Sequence, residues 1–299
     1  MENKIKIISD SSCDYTKEEM KSKNVEVIPF YVSYDSKEYF KENTQLSTPE
    51  FYKKIIDNPD YSPKSSCPST GDYLEVYKKY VEAGYKIIVL CITSKFSGSY
   101  NSASLAKDML LEENSEARIE VIDTKVNTVL QGILVDEVVK MVNDKLEFDD
   151  IVNKTNELKE TGKIYFTIQN LTYLLKGGRI GKVAAIIANI ANLRPLICLD
   201  EGDIHAFGIA FGRKKSIQKV FDKFVSHFSE KNLDYNEYSI VVGYGNDIEE
   251  GKQLLEKIKE YIGSKVKNVQ IKIAQIGSTI AVHTGPYPLG VGFVKKYSM

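Results

Sequence analysis

Four short polar clusters carry the residue types that could do chemistry. Ser9-Asp10-Ser11-Ser12-Cys13-Asp14 follows the apolar run Ile5-Lys6-Ile7-Ile8 directly. That places it at the carboxyl edge of a strand, where open α/β sheets hold their ligands. Turn and helix-cap chemistry accounts for the same residues, since Ser and Asp favour both. Lys64-Ser65-Ser66-Cys67-Pro68-Ser69 reads as a hydroxyl-rich loop between two helices, with linker and capping roles open to it. Thr93-Ser94-Lys95-Phe96-Ser97-Gly98-Ser99-Tyr100 follows the apolar strand Ile87 to Ile92 and opens a helix over 99–111. Free backbone N–H groups, the positive end of the helix dipole and the hydroxyls of Ser97 and Ser99 converge there, an arrangement suited to an anion. An ordinary N-cap explains one of those hydroxyls but not the surplus. The cluster is neither a Walker loop nor a dinucleotide-binding Gly-x-Gly-x-x-Gly turn. Near the end, His283 lies in the Gly/Pro-punctuated segment Ile276 to Gly290, read as a loop that presents a group titrating near neutrality.

The elements that must position these clusters alternate in the first half. Strands are expected over Ile5 to Ser9, Val25 to Ser33, Ile87 to Ile92 and Ile119 to Asp123, with helices between them, which is a parallel α/β pattern. Thr48-Pro49-Glu50 starts one helix with Pro at its first position, and Ser69-Thr70-Gly71-Asp72 starts the next. The polar stretch from Asn143 to Asp150 marks a soft boundary near residue 155. Beyond it the texture is α+β: a helix over 170–176 ending at Gly177-Gly178, and an apolar helix over 182–193. A hairpin of Leu196–Leu199 with Ile204–Ile209 around Glu201-Gly202-Asp203 comes next. Then follow helix 213–229, strand 238–244, helix 248–262 and strand 269–276. Two units are therefore expected, 1–155 and 156–299, in a chain of 299 residues long enough for two cores.

Bulk properties narrow the function classes. The formal charge is −1, and of 40 basic residues only four are Arg, so no field favours nucleic acid or an anionic membrane. The apolar run Val183 to Leu193 is interrupted by two Asn and is too short to span a bilayer, and the amino end has no room for a signal-peptide core. A soluble, cytoplasmic protein is expected. The four cysteines, Cys13, Cys67, Cys91 and Cys198, form no Cys-x-x-Cys pair and no metal-like spacing with the three histidines, so reduced thiols, no metal and no cofactor are expected.

Taken in order, Ser9-Asp10-Ser11, Lys64-Ser65-Ser66-Cys67-Pro68-Ser69, Ser97-Gly98-Ser99-Tyr100, Leu175-Lys176-Gly177-Gly178-Arg179-Ile180, Gly212-Arg213-Lys214-Lys215 and His283-Thr284-Gly285-Pro286 resemble the motif set of the DegV family over about residues 5–294. The resemblance implies a Rossmann-like, parallel-sheet first domain carrying carboxylate-binding loops and an α+β, two-layer second domain that encloses an acyl chain. It implies a long-chain fatty acid buried between them and a bacterial partner, a fatty acid kinase of the dihydroxyacetone-kinase type, that phosphorylates the bound carboxylate on the way to phospholipid. By resemblance, Ser65, Ser97 and Gly98 meet the carboxylate, His283 lies beside it, and Arg179 and Arg213 form the rim that faces the partner. The chain is then a lipid-binding, substrate-presenting protein and not itself an enzyme. Two departures stand out: Ser65-Ser66-Cys67 where the family commonly has Thr-Ser-Gln, and Pro286-Tyr287-Pro288 where it has Pro-Gly-Ala. Two other readings stay open. One is a small-ligand sensor or regulator. The other is a hydrolase with Ser97 or Ser65 as nucleophile and His283 as base, against which stand the missing Gly-x-Ser-x-Gly elbow and the want of an orienting carboxylate.

Overall fold

The computed structural model describes residues 4–181, 183, 192–266 and 269–298. From the amino end the chain forms β1 (Ile5–Asp10), α1 (Lys17–Ser22), β2 (Val25–Ile28), β3 (Tyr31–Ser33), β4 (Phe40–Lys41), α2 (Thr48–Asp57), β5 (Lys64–Ser66), α3 (Thr70–Glu82), β6 (Lys86–Cys91), α4 (Ser99–Glu113), β7 (Ile119–Asp123), α5 (Thr128–Asn143) and α6 (Phe148–Leu158). It continues as β8 (Lys163–Thr167), α7 (Thr172–Lys176), β9 (Leu193–Asp200), β10 (Asp203–Phe211), α8 (Arg213–Glu230), β11 (Tyr238–Tyr244), α9 (Ile248–Gly263), β12 (Ile271–Gln275), α10 (Ser278–Thr284) and β13 (Leu289–Lys295). The expected boundary at residue 155 falls inside α6, and the expected helix over 182–193 lies almost wholly outside the described residues; Leu193 itself opens β9.

Strands β2-β1-β6-β7 form a parallel sheet in that order. The continuous apolar run of β6 is what a strand covered on both faces requires. Ile88 and Leu90 enter the core that contains α5, whereas Ile87, Val89 and Cys91 enter the core beneath α3 and α4. The run Val25 to Ser33 is not one strand, as its composition suggests. It breaks at Pro29-Phe30, and its second part, β3, joins a separate antiparallel sheet of order β4-β3-β5. Proline has no N–H for the ladder, so the chain leaves the parallel sheet there. Lys64 to Ser66 is likewise an edge strand and not a loop, in register Val32↔Ser65.

The second sheet is mixed, of order β10-β9-β8-β13-β11-β12, with only β11 and β12 parallel. The expected hairpin is present: Asp200 pairs with Asp203, and Glu201 and Gly202 both have positive φ, 50° and 81°, as the two-residue turn that matches strand twist demands. Gly202 also receives a hydrogen bond at its carbonyl from Thr93 Oγ1 (2.9 Å), and a Cβ there would lie 2.6 Å from that oxygen. Helix α5 is buried on nearly every side. Val129, Leu130 and Ile133 share one core with Ile88 of the first sheet and Val241 and Val294 of the second.

Candidate functional site

After β6 ends, the chain crosses the carboxyl edge of the parallel sheet and starts α4 at Ser99. Buried Asp10, at the end of neighbouring β1, fixes that crossing. Its Oδ2 accepts hydrogen bonds from the Ile92 N–H (2.9 Å) and Ser99 Oγ (2.7 Å), and its Oδ1 from Ser12 Oγ (2.6 Å) and Gln131 Nε2 (3.0 Å). Burial raises the Asp10 pKa, and these bonds, which favour the charged form, work against it. The cluster after β1 is therefore scaffolding and does not line the cavity described next.

The Ser99 hydroxyl is spoken for, while its N–H donates to Ser97 Oγ (3.2 Å). Ser97 thus already accepts one bond, and its own hydroxyl hydrogen has no acceptor among the described residues. Ser97 and Gly98 line a cavity with about 100 Å³ of space open to the centres of water molecules, against roughly 10–15 Å³ for one water on that measure. Apolar walls come from Phe30, Ile92, Phe96, Phe166, Leu174, Ile204 and Ile280, and polar ones from Ser65, Cys67, Asn127, Arg179, Thr279, His283 and Thr284.

His283 is on a short helix, α10, and not in a loop. The Gly/Pro punctuation bounds the helix instead of dissolving it. Buried Glu42 holds its first turn, accepting from the Thr279 N–H (2.9 Å) and Thr279 Oγ1 (2.6 Å) while also accepting from Ser11 Oγ (2.5 Å). One turn on, Thr279, Ile280, His283 and Thr284 share the face toward the cavity, as i, i+4 spacing dictates. His283 Nε2 and Ser65 Oγ are 3.2 Å apart, the direction of the bond depending on the imidazole tautomer. His283 Nδ1 has no partner among the described residues. Gly177 comes so close that a Cβ there would sit 2.2 Å from Nδ1, so the end of α7 requires glycine. Burial first, then the charges of Arg179 and Lys64, lowers the His283 pKa to about 4, so the ring is neutral at pH 7.

Arg179 is exposed at the rim. Its Nε donates to the Phe96 carbonyl (3.0 Å) and its Nη1 to the Gly177 carbonyl (2.8 Å), which ties the two lips of the cavity together. Lys64 Nζ reaches the Lys176 carbonyl (3.1 Å). Ser65, Ser97, Gly98, Arg179 and His283 are thus brought to one place, and Arg213 is not. Arg213 opens α8, with Nε and Nη2 on the Glu250 carboxylate (3.0 and 2.6 Å). Sequence reasoning missed the walls contributed by β8, β10 and the start of α5, because Phe166, Ile204 and Asn127 carry no motif. Only the position of Asn127 just beyond β7, at the ligand-holding edge of a parallel sheet, could have flagged it.

A parallel sheet and a mixed sheet surround an apolar cavity, with neutral hydrogen-bonding groups gathered at part of its wall, and together they define an α/β protein with an internal cavity of the kind that ligands occupy. The family model described as "Uncharacterised protein, DegV family" matches residues 4–296, and the chain belongs to the DegV family. A DegV domain-containing protein of Clostridium perfringens is 31% identical over 293 residues, 97% of either chain. The structure of a stearic acid-binding protein from Eubacterium ventriosum superposes with a TM-score of 0.90 at 38% identity, covering 98% of this chain and 99% of its own. The fatty acid kinase B3 protein of Streptococcus pneumoniae, solved loaded with linoleic acid, gives 0.80 at 26% identity over 98% and 99%. Among the described residues no helix is long and apolar enough to cross a membrane.

Proposed function

We propose that this protein binds one long-chain fatty acid in the cavity between its units 1–155 and 156–299 and presents the carboxylate to a fatty acid kinase. The observation that carries the reading is the cavity itself: its walls come from both halves of the chain, and its apolar lining is joined to Ser65, Ser97, Gly98 and a neutral His283. Each methylene taken out of water contributes about 0.8 kcal/mol, so a chain of C14 to C18 brings enough gross stabilisation for micromolar or tighter binding after ordering costs. A carboxylate in such a place needs donors. The free hydroxyl hydrogen of Ser97, and that of Ser65 when His283 Nε2–H donates to its oxygen, supply them without a counter-charge. Arg179 and Lys64 add a favourable field at the rim.

Phosphorylation of a carboxylate needs no nucleophile from this chain, because the carboxylate attacks and the kinase supplies nucleotide and Mg²⁺. The Ser65–His283 pair also invites the hydrolase reading. Electrostatics oppose it: the imidazolium that a general base becomes would lie near Arg179 and Lys64, with no carboxylate on Nδ1 among the described residues. The deciding experiment is denaturing extraction and mass spectrometry of protein purified from bacterial cells, followed by phosphoryl transfer with the cognate kinase and ATP. A near-stoichiometric fatty acid and kinase-dependent acyl phosphate are expected. Protein that is consistently empty and binds neither palmitate nor oleate overturns the reading, as does ester turnover abolished by Ser97→Ala.

A further inference from the structure

Asn127 stands in the cavity wall for no reason that the backbone supplies. It precedes α5 in the N-cap position, yet its side chain makes no capping bond and no other hydrogen bond among the described residues. Its own φ of −153° and ψ of 176° are extended geometry open to any residue, so neither of the two usual structural uses of Asn, capping and the left-handed conformation, applies.

The strain sits one residue later. Thr128 has φ 52°, a position that a β-branched residue rarely takes, and it is held there by Thr128 Oγ1 donating to buried Asp14 Oδ2 (2.5 Å). The backbone is pinned on both sides of the turn: the Val126 carbonyl accepts from the Thr93 N–H (2.9 Å) and the Asn127 carbonyl from the Gln131 N–H (3.1 Å). Strain maintained at a cavity wall commonly serves what the cavity holds. The residue beside that strain, Asn127, lines the same space as Ile92 and Ile204, and its carboxamide is unpaired among the described residues. A saturated alkyl chain packed over that amide would strip its water and return nothing, and an unpaired buried amide is costly.

Resting on the fatty-acid reading above, we propose that Asn127 selects the ligand class. The cavity takes a fatty acid bearing an oxygen within the chain, a hydroxyl above all, and the Asn127 side chain pairs with it. A carboxamide both donates and accepts, and so does a hydroxyl, so one in-chain alcohol satisfies the amide where a methylene leaves it bare. Sites built to bond a hydroxyl discriminate against analogues that lack it.

The test uses the full chain stripped of lipid, with stearic acid and a set of hydroxystearic acids that differ in the position of the hydroxyl. Affinities are measured by calorimetry for wild type, Asn127→Leu and Asn127→Ala, the two variants removing the amide with opposite effects on cavity volume. In wild type at least one hydroxy isomer should bind about tenfold or more tightly than stearic acid, and both variants should lose that preference. Thermal melting of the free proteins controls for folding, and the extended backbone at 127 accommodates either side chain. If stearic acid binds and no isomer is preferred, or the preference survives in both variants, the inference is overturned. An equal loss for every acid in both variants also overturns it, because Asn127 would then hold the carboxylate. Failure of wild type to bind any of the acids instead strikes the fatty-acid reading itself.

Discussion

His227 and His283 have the same depressed pKa, about 4, and burial is the first cause in both. Nearby cations lower both as well, Lys231, Lys163 and Lys223 at His227 and Arg179 and Lys64 at His283, but their hydrogen bonds and packing differ. His227, on α8, bonds through Nδ1 to Tyr165 OH (2.8 Å) and lies 5.0 Å from the Phe293 ring, within an aromatic core of Phe224, Phe228 and Tyr235. His283 has a nitrogen to spare, a serine on the other, two cations nearby and a cavity in front of it. A pKa lowered by desolvation is what any buried imidazole shows. The mark of a site is what the polar groups leave unused and what space they face.

The comparison is most easily broken by mutation on the His227 side. Phe224→Ala removes a fully buried ring that packs on Phe228, Tyr235 and Phe293. It should cost about 3–5 kcal/mol of stability, read as a lower urea midpoint at unchanged slope, with fatty acid affinity of the folded protein preserved. A matching loss of affinity would show that the two regions are not separable. On the cavity side the expected pattern is reversed. Ser65→Ala and Ser97→Ala should each weaken head-group anchoring by about 1–3 kcal/mol with little change in melting temperature; a double variant that binds a fluorescent fatty acid as tightly as wild type would reduce both serines to structural bonds.

Smaller effects sharpen the contrast between the histidines themselves. His283→Ala should slow acyl-phosphate formation with the cognate kinase by about tenfold, the worth of one oriented hydrogen bond, and reduce binding less. His227→Ala should lower stability and leave transfer by the folded protein unchanged. For both rings the folded pKa lies below the unfolded one, so the unfolded state takes up the proton first as pH falls. The contribution of each ring to stability is then flat above pH 6.5 and declines between 6.5 and about 4, by less than about 1.4 kcal/mol per pH unit, read as the difference in denaturation between wild type and the matching His→Ala variant. A carboxylate bound beside His283 favours its charged form, so loading with stearate should raise the His283 titration midpoint in an NMR pH series and leave that of His227 in place. The smallest effect is expected at Arg213→Ala, a modest rise in the protein concentration needed for half-maximal kinase rate that shrinks as salt screens the charge, while wild type loses activity with salt. Arg213 is partly committed to Glu250, and identical kinetics at two salt concentrations would remove it from the docking surface.

Much of this was legible in the sequence where period and punctuation agree. The β6 run, the Glu201-Gly202 turn and the amphipathic helices α8 and α9 lie within a residue or two of their expected limits. Ser97 and Gly98, which the strand, polar loop and helix start single out locally, line the cavity, as does Arg179, which only the family resemblance picks out. The misses have physical causes. Pro29 divides a largely apolar segment between two sheets, and Ser65 belongs to an edge strand whose pairing with Val32 is long-range. The helical state of His283 is set by Glu42, far away in sequence, holding Thr279. Asp10, whose polarity suggested a ligand-binding edge, turned inward because three donors from distant elements, Ile92, Ser99 and Gln131, join neighbouring Ser12 on it. Buried polar hubs are properties of the assembled chain, and no window of neighbouring residues contains them.

Helix α5 carries a thermodynamic consequence. Its apolar side chains enter a single core with strands of both sheets, so pulling the sheets apart would expose most of the helix to water at about 1.5–3 kcal/mol for each large aliphatic residue. The two halves of the chain are therefore coupled in melting, and calorimetry should record one endotherm whose van't Hoff and calorimetric enthalpies agree. The same coupling bars a wide hinge. On the fatty-acid reading, lipid would enter and leave through local fluctuations of the rim, where Arg179 clasps the Phe96 and Gly177 carbonyls, and exchange of the bound chain should be slow compared with diffusion.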